Sequence, residues 1–170
     1  IQQIGAPKDI YDYPDNVFVG GFIGTPPMNF IEGRVREDGY FECGSVRHGV
    51  FTFKVPEKQL NILKSQGYIG VELLMGIRPE DCHDEPEFIE THPESRVEAK
   101  VEVAELLGAT TNIHFDMNNS HVCAAVAARA DIHIGDTLKL AIDMEKCHFF
   151  DPETQLCVTV PFYVRPVKSE

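Results

Sequence analysis

Five cysteines and seven histidines are the natural candidates for metal or nucleophilic chemistry in this 170-residue sequence. Cys82-His83 and Cys147-His148 together supply two thiols and two imidazoles, a tetrahedral zinc set by residue type. Neither pair has zinc-type spacing, and adjacent residues on a strand point to opposite faces, so each pair would need a turn to converge. The pattern therefore favours small buried cysteines and surface histidines over a metal centre. Nucleophilic catalysis lacks both a Gly-x-Ser-x-Gly elbow and a family-type cysteine signature. Gly20-Gly21-x-x-Gly24 lacks the lysine and the preceding strand of a phosphate loop and reads as a packing device. Six carboxylates and two prolines crowd Asp81 to Ser95, which reads as an exposed, solvated loop rather than an acid–base pair. No catalytic, cofactor-binding or metal-binding residue is assigned.

The elements that would position any site belong to one domain or two small ones, long enough to bury a core. A formal net charge of -12 with scattered Lys and Arg argues against nucleic acid or an anionic membrane surface as the main partner. No apolar run approaches the roughly 20 residues of a spanning helix. An odd cysteine count without Cys-x-x-Cys fits free thiols in a reducing, cytoplasmic compartment. The chain begins at Ile1 rather than Met, so an excised or processed fragment is expected.

Ile1 to Gly5 reads as a strand lacking its partner. A helical turn follows from Ala6, and a second helix from Pro14, with Phe18 and Phe22, and Val19 and Ile23, as i,i+4 neighbours. Gly20 and Gly21 cost helix propensity and imply close approach of another backbone. Thr25-Pro26-Pro27 stops the helix. Strands are expected from Phe30 to Arg36, Tyr40 to Gly44 after an Asp38-Gly39 hairpin turn, Val50 to Val55 and Tyr68 to Ile77. Pro56 to Gln66 is the one clear amphipathic helix of the body, with Leu60 and Leu63 on its apolar face. Arg96 to Leu106 reads as one long alternating strand, with Val97, Ala99, Val101 and Val103 facing one way. Thr110 to Met117, an Asn118-Asn119 turn, His121 to Ala127, Thr137 to Ile142, His148 to Phe150 and Cys157 to Val160 follow, before a fraying tail from Pro161 to Glu170.

Gly76 to His83 and Ala141 to His148 share Ile, Glu, Cys and His at matching offsets, each after an apolar strand. This predicts two related β-units of about 65 residues, on the logic of internal repeats. The expected fold is mainly β: an OB-like β-barrel domain over residues 28–170, with units near 28–83 and 96–160, short N-terminal helices, and one helix near 56–66.

The stretch IQQIGAPKDIYDYPDNVFVGGFIGTPPMNFIEG closely resembles a junction in the ATP-binding subunits of ABC-class carbohydrate importers, the maltose- and multiple-sugar-type ATPases. The match runs through Ile1, Gln2, Gln3, Gly5, Pro7, Ile10, Tyr11, Pro14, Asn16, Phe18, Val19, Phe22, Ile23, Gly24, Pro26, Met28, Asn29 and Phe30. Gly20 departs from the family's usual alanine. Gly76-Ile77-Arg78-Pro79-Glu80, Glu105-Leu106-Leu107-Gly108 and Lys146-Cys147-His148-Phe149-Phe150-Asp151 resemble landmarks of the family's C-terminal regulatory domain.

The resemblance implies a regulatory and dimerisation domain, with residues 1–27 as the end of an ATPase core and linker helix. ATP and Mg would belong to that missing core, leaving no cofactor here. The implied partners are a second copy of the subunit, permease subunits reached through the core, and a phosphotransferase-system regulator, at the inner face of the cell membrane. Regulator-sensitive positions of maltose-type members fall at Phe30, Gly70, Gly76 and Glu105. The joint is expected to hold by packing Phe18, Phe22 and Ile23 on the barrel. An OB-like module that senses an oligosaccharide or oxyanion is the alternative.

Overall fold

The computed structural model describes residues 1–47, 49–117 and 119–159. The expected tail at Pro161–Glu170, Val160 of the last expected strand and Asn118 of the expected turn lie outside them. Two short helices open the chain, α1 (Pro7–Asp12) and α2 (Val17–Phe22). Asn16 caps α2, its side chain accepting from the Val19 amide at 2.9 Å, so this helix begins after Pro14 rather than at it. Ile1 to Gly5 is not a strand, and Ile1 is fully exposed. Gln3 instead reads the backbone of the next turn, donating from Nε2 to the Tyr13 carbonyl and accepting from the Asp15 amide, each at 2.9 Å.

Alternating burial then builds β1 (Asn29–Val35), β2 (Tyr40–Ser45) and β3 (Gly49–Lys54). Gly39, at φ +88°, makes the turn between β1 and β2, the left-handed geometry expected of Asp-Gly. Helix α3 (Glu57–Ser65) seats Leu63 in the core, and β4 (Glu72–Ile77) follows. The expected strand from Tyr68 is shorter because Gly70, at φ +76°, bends the chain before it. The segment expected as a loop after Asp81 is ordered: β5 (Cys82–His83), α4 (Pro86–Thr91) and a 3-10 turn at Pro93–Ser95. Pro86 presets the first turn of α4, and Phe88 stacks between His83 at 4.0 Å and His92 at 3.8 Å.

The long strand expected at Arg96–Leu106 is two, β6 (Arg96–Lys100) and β7 (Val103–Leu107), in different sheets. Val101 exchanges backbone hydrogen bonds with Gly135 and Asp136, whereas the Glu102 amide already donates to His114. The chain changes partner between adjacent residues, and Val103 ends up exposed instead of buried. Strands β8 (Thr110–Met117), β9 (Ser120–Ala127), β10 (Thr137–Ile142) and β11 (His148–Phe150) complete the body. Beyond β11, Leu156 and Cys157 form isolated bridges rather than the expected strand.

Among the described residues the sheets have the orders β11-β4-β1-β2-β3, β5-β10-β6 and β7-β8-β9, and none closes into a barrel. One apolar core joins all three, with Phe41, Phe53, Ile113, Phe115, Leu140 and Phe149 inside it. The expected repeat is present in the geometry. Glu72–Ile77 and the 3-10 turn Pro79–Asp81 recur, 65 positions on, as Thr137–Ile142 and Met144–Lys146. The strands that follow are exchanged: β11 pairs with β4, setting His148 opposite Gly76, and β5 pairs with β10, setting His83 opposite Ala141.

Candidate functional site

The joint between the helical arm and the β-body is where the most specific polar contacts gather. Helix α2 buries Val19 and Gly20. A methyl group on Gly20 would sit 3.1 Å from Met28 Sδ and 3.2 Å from Phe30 Cζ. Close approach is therefore real: these side chains crowd the glycine, and the Met28 backbone amide donates to the Gly20 carbonyl at 3.3 Å. The first residues of α2 are tied to the turn after β11, with Val17 donating to the Gln155 carbonyl at 2.9 Å and Cys157 to that of Asp15 at 2.8 Å.

Arg78 holds the other end. It is 3% exposed, and its guanidinium donates from Nη1 to the Ile23 carbonyl at 2.5 Å and from Nη2 to the Tyr11 carbonyl at 2.8 Å. A longer Nη1 contact reaches the Gly20 carbonyl at 3.3 Å. The same group lies 3.8 Å above the Tyr11 ring, whose hydroxyl donates to Glu80. A cation at the carbonyl end of a helix complements its dipole, and the planar fork serves carbonyls of two helices at once. Burial lowers the Arg78 pKa, while Tyr11, Glu80, Asp81 and Asp12 pull the other way. Burial first, then Glu80, push the Tyr11 phenol up to about 12.

Asn29 ties β1 to a different sheet, exchanging two hydrogen bonds with the Cys123 backbone at 2.9 and 2.8 Å. Its amide stands in for a strand partner, so the buried Cys123 peptide groups stay satisfied.

The expected packing of Phe18 and Phe22 on the body is overturned. They are stacked on each other at 5.5 Å but 56% and 72% exposed, because the glycine-bearing side of α2 fits the body more closely. Of the four positions carried over from the resemblance, two come together. Phe30 lies directly opposite Gly76 across β1 and β4 and edge-on to Phe150 at 5.4 Å. Gly70 is an exposed turn beside Val35, at the far end of β1. Glu105 is on β7, its carboxylate accepting from His114 Nε2 at 3.0 Å. Sequence reasoning missed Arg78 as a side chain with a role; its one signal was its place in the Gly76–Glu80 landmark.

The Cys-His pairs separate as strand alternation requires. Cys82 and Cys147 enter the core, while His83 stacks on Phe88 and His148 Nε2 donates to the Asp12 carbonyl at 2.7 Å. Burial, with the nearby Arg78 charge also opposing protonation, pushes His148 down to about 4. A histidine held neutral in the fold contributes stability that is fully present above its unfolded value near 6.5 and is lost as pH falls through about 4. Asp81 acts in the opposite sense, since burial and Glu80 push it up to about 6, so its protonation favours the fold in the same window. The global midpoint should therefore respond weakly, whereas amide exchange should show α1 losing protection from pH 6.5 towards 4. Undiminished α1 protection at the acid end would refute the anchoring role.

Residues 24–82 match the MalK OB fold domain family and residues 75–150 the TOBE domain family. The oligosaccharides import ATP-binding protein MsmX of Bacillus subtilis is 49% identical over 156 residues, covering 92% of this chain and 41% of that protein. The multiple sugar-binding transport ATP-binding protein MsmK of Streptococcus mutans is 37% identical over 158 residues, covering 93% and 41%. The trehalose/maltose import ATP-binding protein MalK of Thermococcus litoralis is 36% identical over 155 residues, covering 91% and 40%. The chain thus spans about two fifths of the length of these relatives. It carries a MalK OB fold domain and a TOBE domain, and its homologues are ATP-binding proteins of sugar ABC importers.

Proposed function

We propose that this chain is the regulatory and dimerisation domain of a sugar-importer ATP-binding subunit, cytoplasmic and held at the membrane through the permease. The observation that carries this reading is the clamped arm with its bare outer face. Arg78 and the turn after β11 fix α2 to the body, yet Phe18, Phe22, Ile1 and Ile4 remain exposed. An arm so firmly held and so apolar outside is built to carry force between the body and something that covers it, here the ATPase core of the longer protein. Gly70 and Glu105, both exposed, suit direct contact with a regulator or a second copy. Phe30 and Gly76 act instead through the seat of α2. ATP and its Mg²⁺ belong to the core, not to this chain.

Two measurements test the proposal. Calorimetric titration of this chain with Mg-ATP should show no saturable binding, and saturable binding would overturn it. Phe18→Ser with Phe22→Ser should leave the thermal midpoint of the chain nearly unchanged, because both rings are already exposed. The same pair in the complete subunit should cut ATP-driven transport by about tenfold, the effect of losing roughly 1.4 kcal/mol of coupling. Full transport would place the covering partner elsewhere.

A further inference from the structure

The outer face of the β7-β8-β9 sheet carries a second arrangement, which shares only Glu105 with the regulatory reading. Register sets His114 opposite Cys123 and His121 opposite Asp116, so the two histidines are diagonal neighbours on one face. Their rings stack at 5.1 Å and 19°, with His114 Nδ1 2.9 Å from His121 Nε2. The other nitrogen of His114, Nε2, meets the Glu105 carboxylate at 3.0 Å. A carboxylate is an acceptor only, so it draws the His114 proton to Nε2 and leaves the Nδ1 lone pair aimed at His121. Asp116 is engaged in its own turn, accepting from the Asn119 amide at 3.2 Å. Among the described residues no group of three or more His, Cys, Asp or Glu side chains could hold a metal ion, so the protein would offer two nitrogens, with water completing the shell.

The geometry points to a surface chelate for a borderline transition-metal ion, Zn²⁺, Ni²⁺ or Cu²⁺, between His114 Nδ1 and His121 Nε2, oriented by Glu105. Imidazole pairs suit these ions, and a ligating histidine whose second N–H is held by a carboxylate is the usual outer-shell support. Two metal–nitrogen bonds of about 2.0–2.1 Å at a tetrahedral angle set the nitrogens about 3.3 Å apart. A small swing of the exposed His121 ring supplies the difference. On binding, His121 shifts its proton from Nε2 to Nδ1, freeing the second lone pair, and no group is oxidised or transferred.

The test uses the untagged chain titrated with each metal alone by calorimetry. One saturable equivalent is expected, lost in His114→Ala/His121→Ala, with Glu105→Gln weakening binding about tenfold. Histidine-ring NMR of the unaltered chain guards against a variant that fails to fold: metal should perturb the His114 and His121 rings first. No saturable binding, binding that survives the double substitution, or first perturbation at another histidine would overturn the site.

Discussion

Gly76→Ala should lower the thermal midpoint by about 4–12 °C, the consequence of roughly 2–3 kcal/mol of overpacking in a chain of this size. A methyl group there would sit 2.6 Å from Phe150 Cε2 and 2.7 Å from Met28 Sδ. Met28 can shift its thioether, but Phe150 is fully buried and Phe30 stands against it edge-on, so relief must come through the seat of α2. The internal repeat supplies the comparison. Ala141 occupies the equivalent place opposite His83, fully buried and accommodated. Among the described residues, only the first unit carries a cluster of Met28, Phe30 and Phe150 with helix α2 over this strand. A glycine at 76 is thus the room left for the arm. A midpoint unmoved by the substitution would show that the cluster yields freely, and the link between Gly76 and the joint would fail.

Arg78→Ala should release the arm while leaving the β-body folded. The substitution removes charge-assisted hydrogen bonds to the Ile23 and Tyr11 carbonyls, each worth about 1.5–3 kcal/mol. About 3 kcal/mol of local stability is the expected loss, since the freed carbonyls regain water once the arm lifts. The readouts are faster cleavage between Gly24 and Pro27 in limited proteolysis and exchange of the α2 amides at near-unprotected rates. Arg78→Lys should fall between, because an ammonium cannot span carbonyls of two helices as the fork does. Retained α2 protection in Arg78→Ala would mean that Val19, Gly20 and the turn after β11 hold the arm alone.

How much of this was legible in the sequence depended on whether the deciding partner was near in the chain. Helix α3 between Pro56 and Gly67, the Asp38-Gly39 turn and the Gly76/Ala141 repeat were all readable, because their signals are local or self-similar. The division of Arg96–Leu106 was not, since alternation runs unbroken while the backbone trades partners at Val101 and Glu102. Helix α4 hid among carboxylates although Pro86 marked its start. The i,i+4 pairing of Phe18 and Phe22 was correct, but which side of α2 faces the body was set by the glycine surface against Met28 and Phe30. Arg78 gave no periodic signal, for its carbonyl partners lie 55 and 67 positions upstream.

The exchange of β5 and β11 turns two look-alike units into a single knot of obligation. Strand β4 without β11 exposes a row of unpaired backbone groups, and β10 without β5 does the same. Neither half can be finished by its own residues, as though a swapped dimer had been written into one polypeptide. The two units are thereby coupled through their strand pairing, and a disturbance at the arm's seat on Met28, Phe30 and Phe150 meets, through β11, the strand the second half lends to the first.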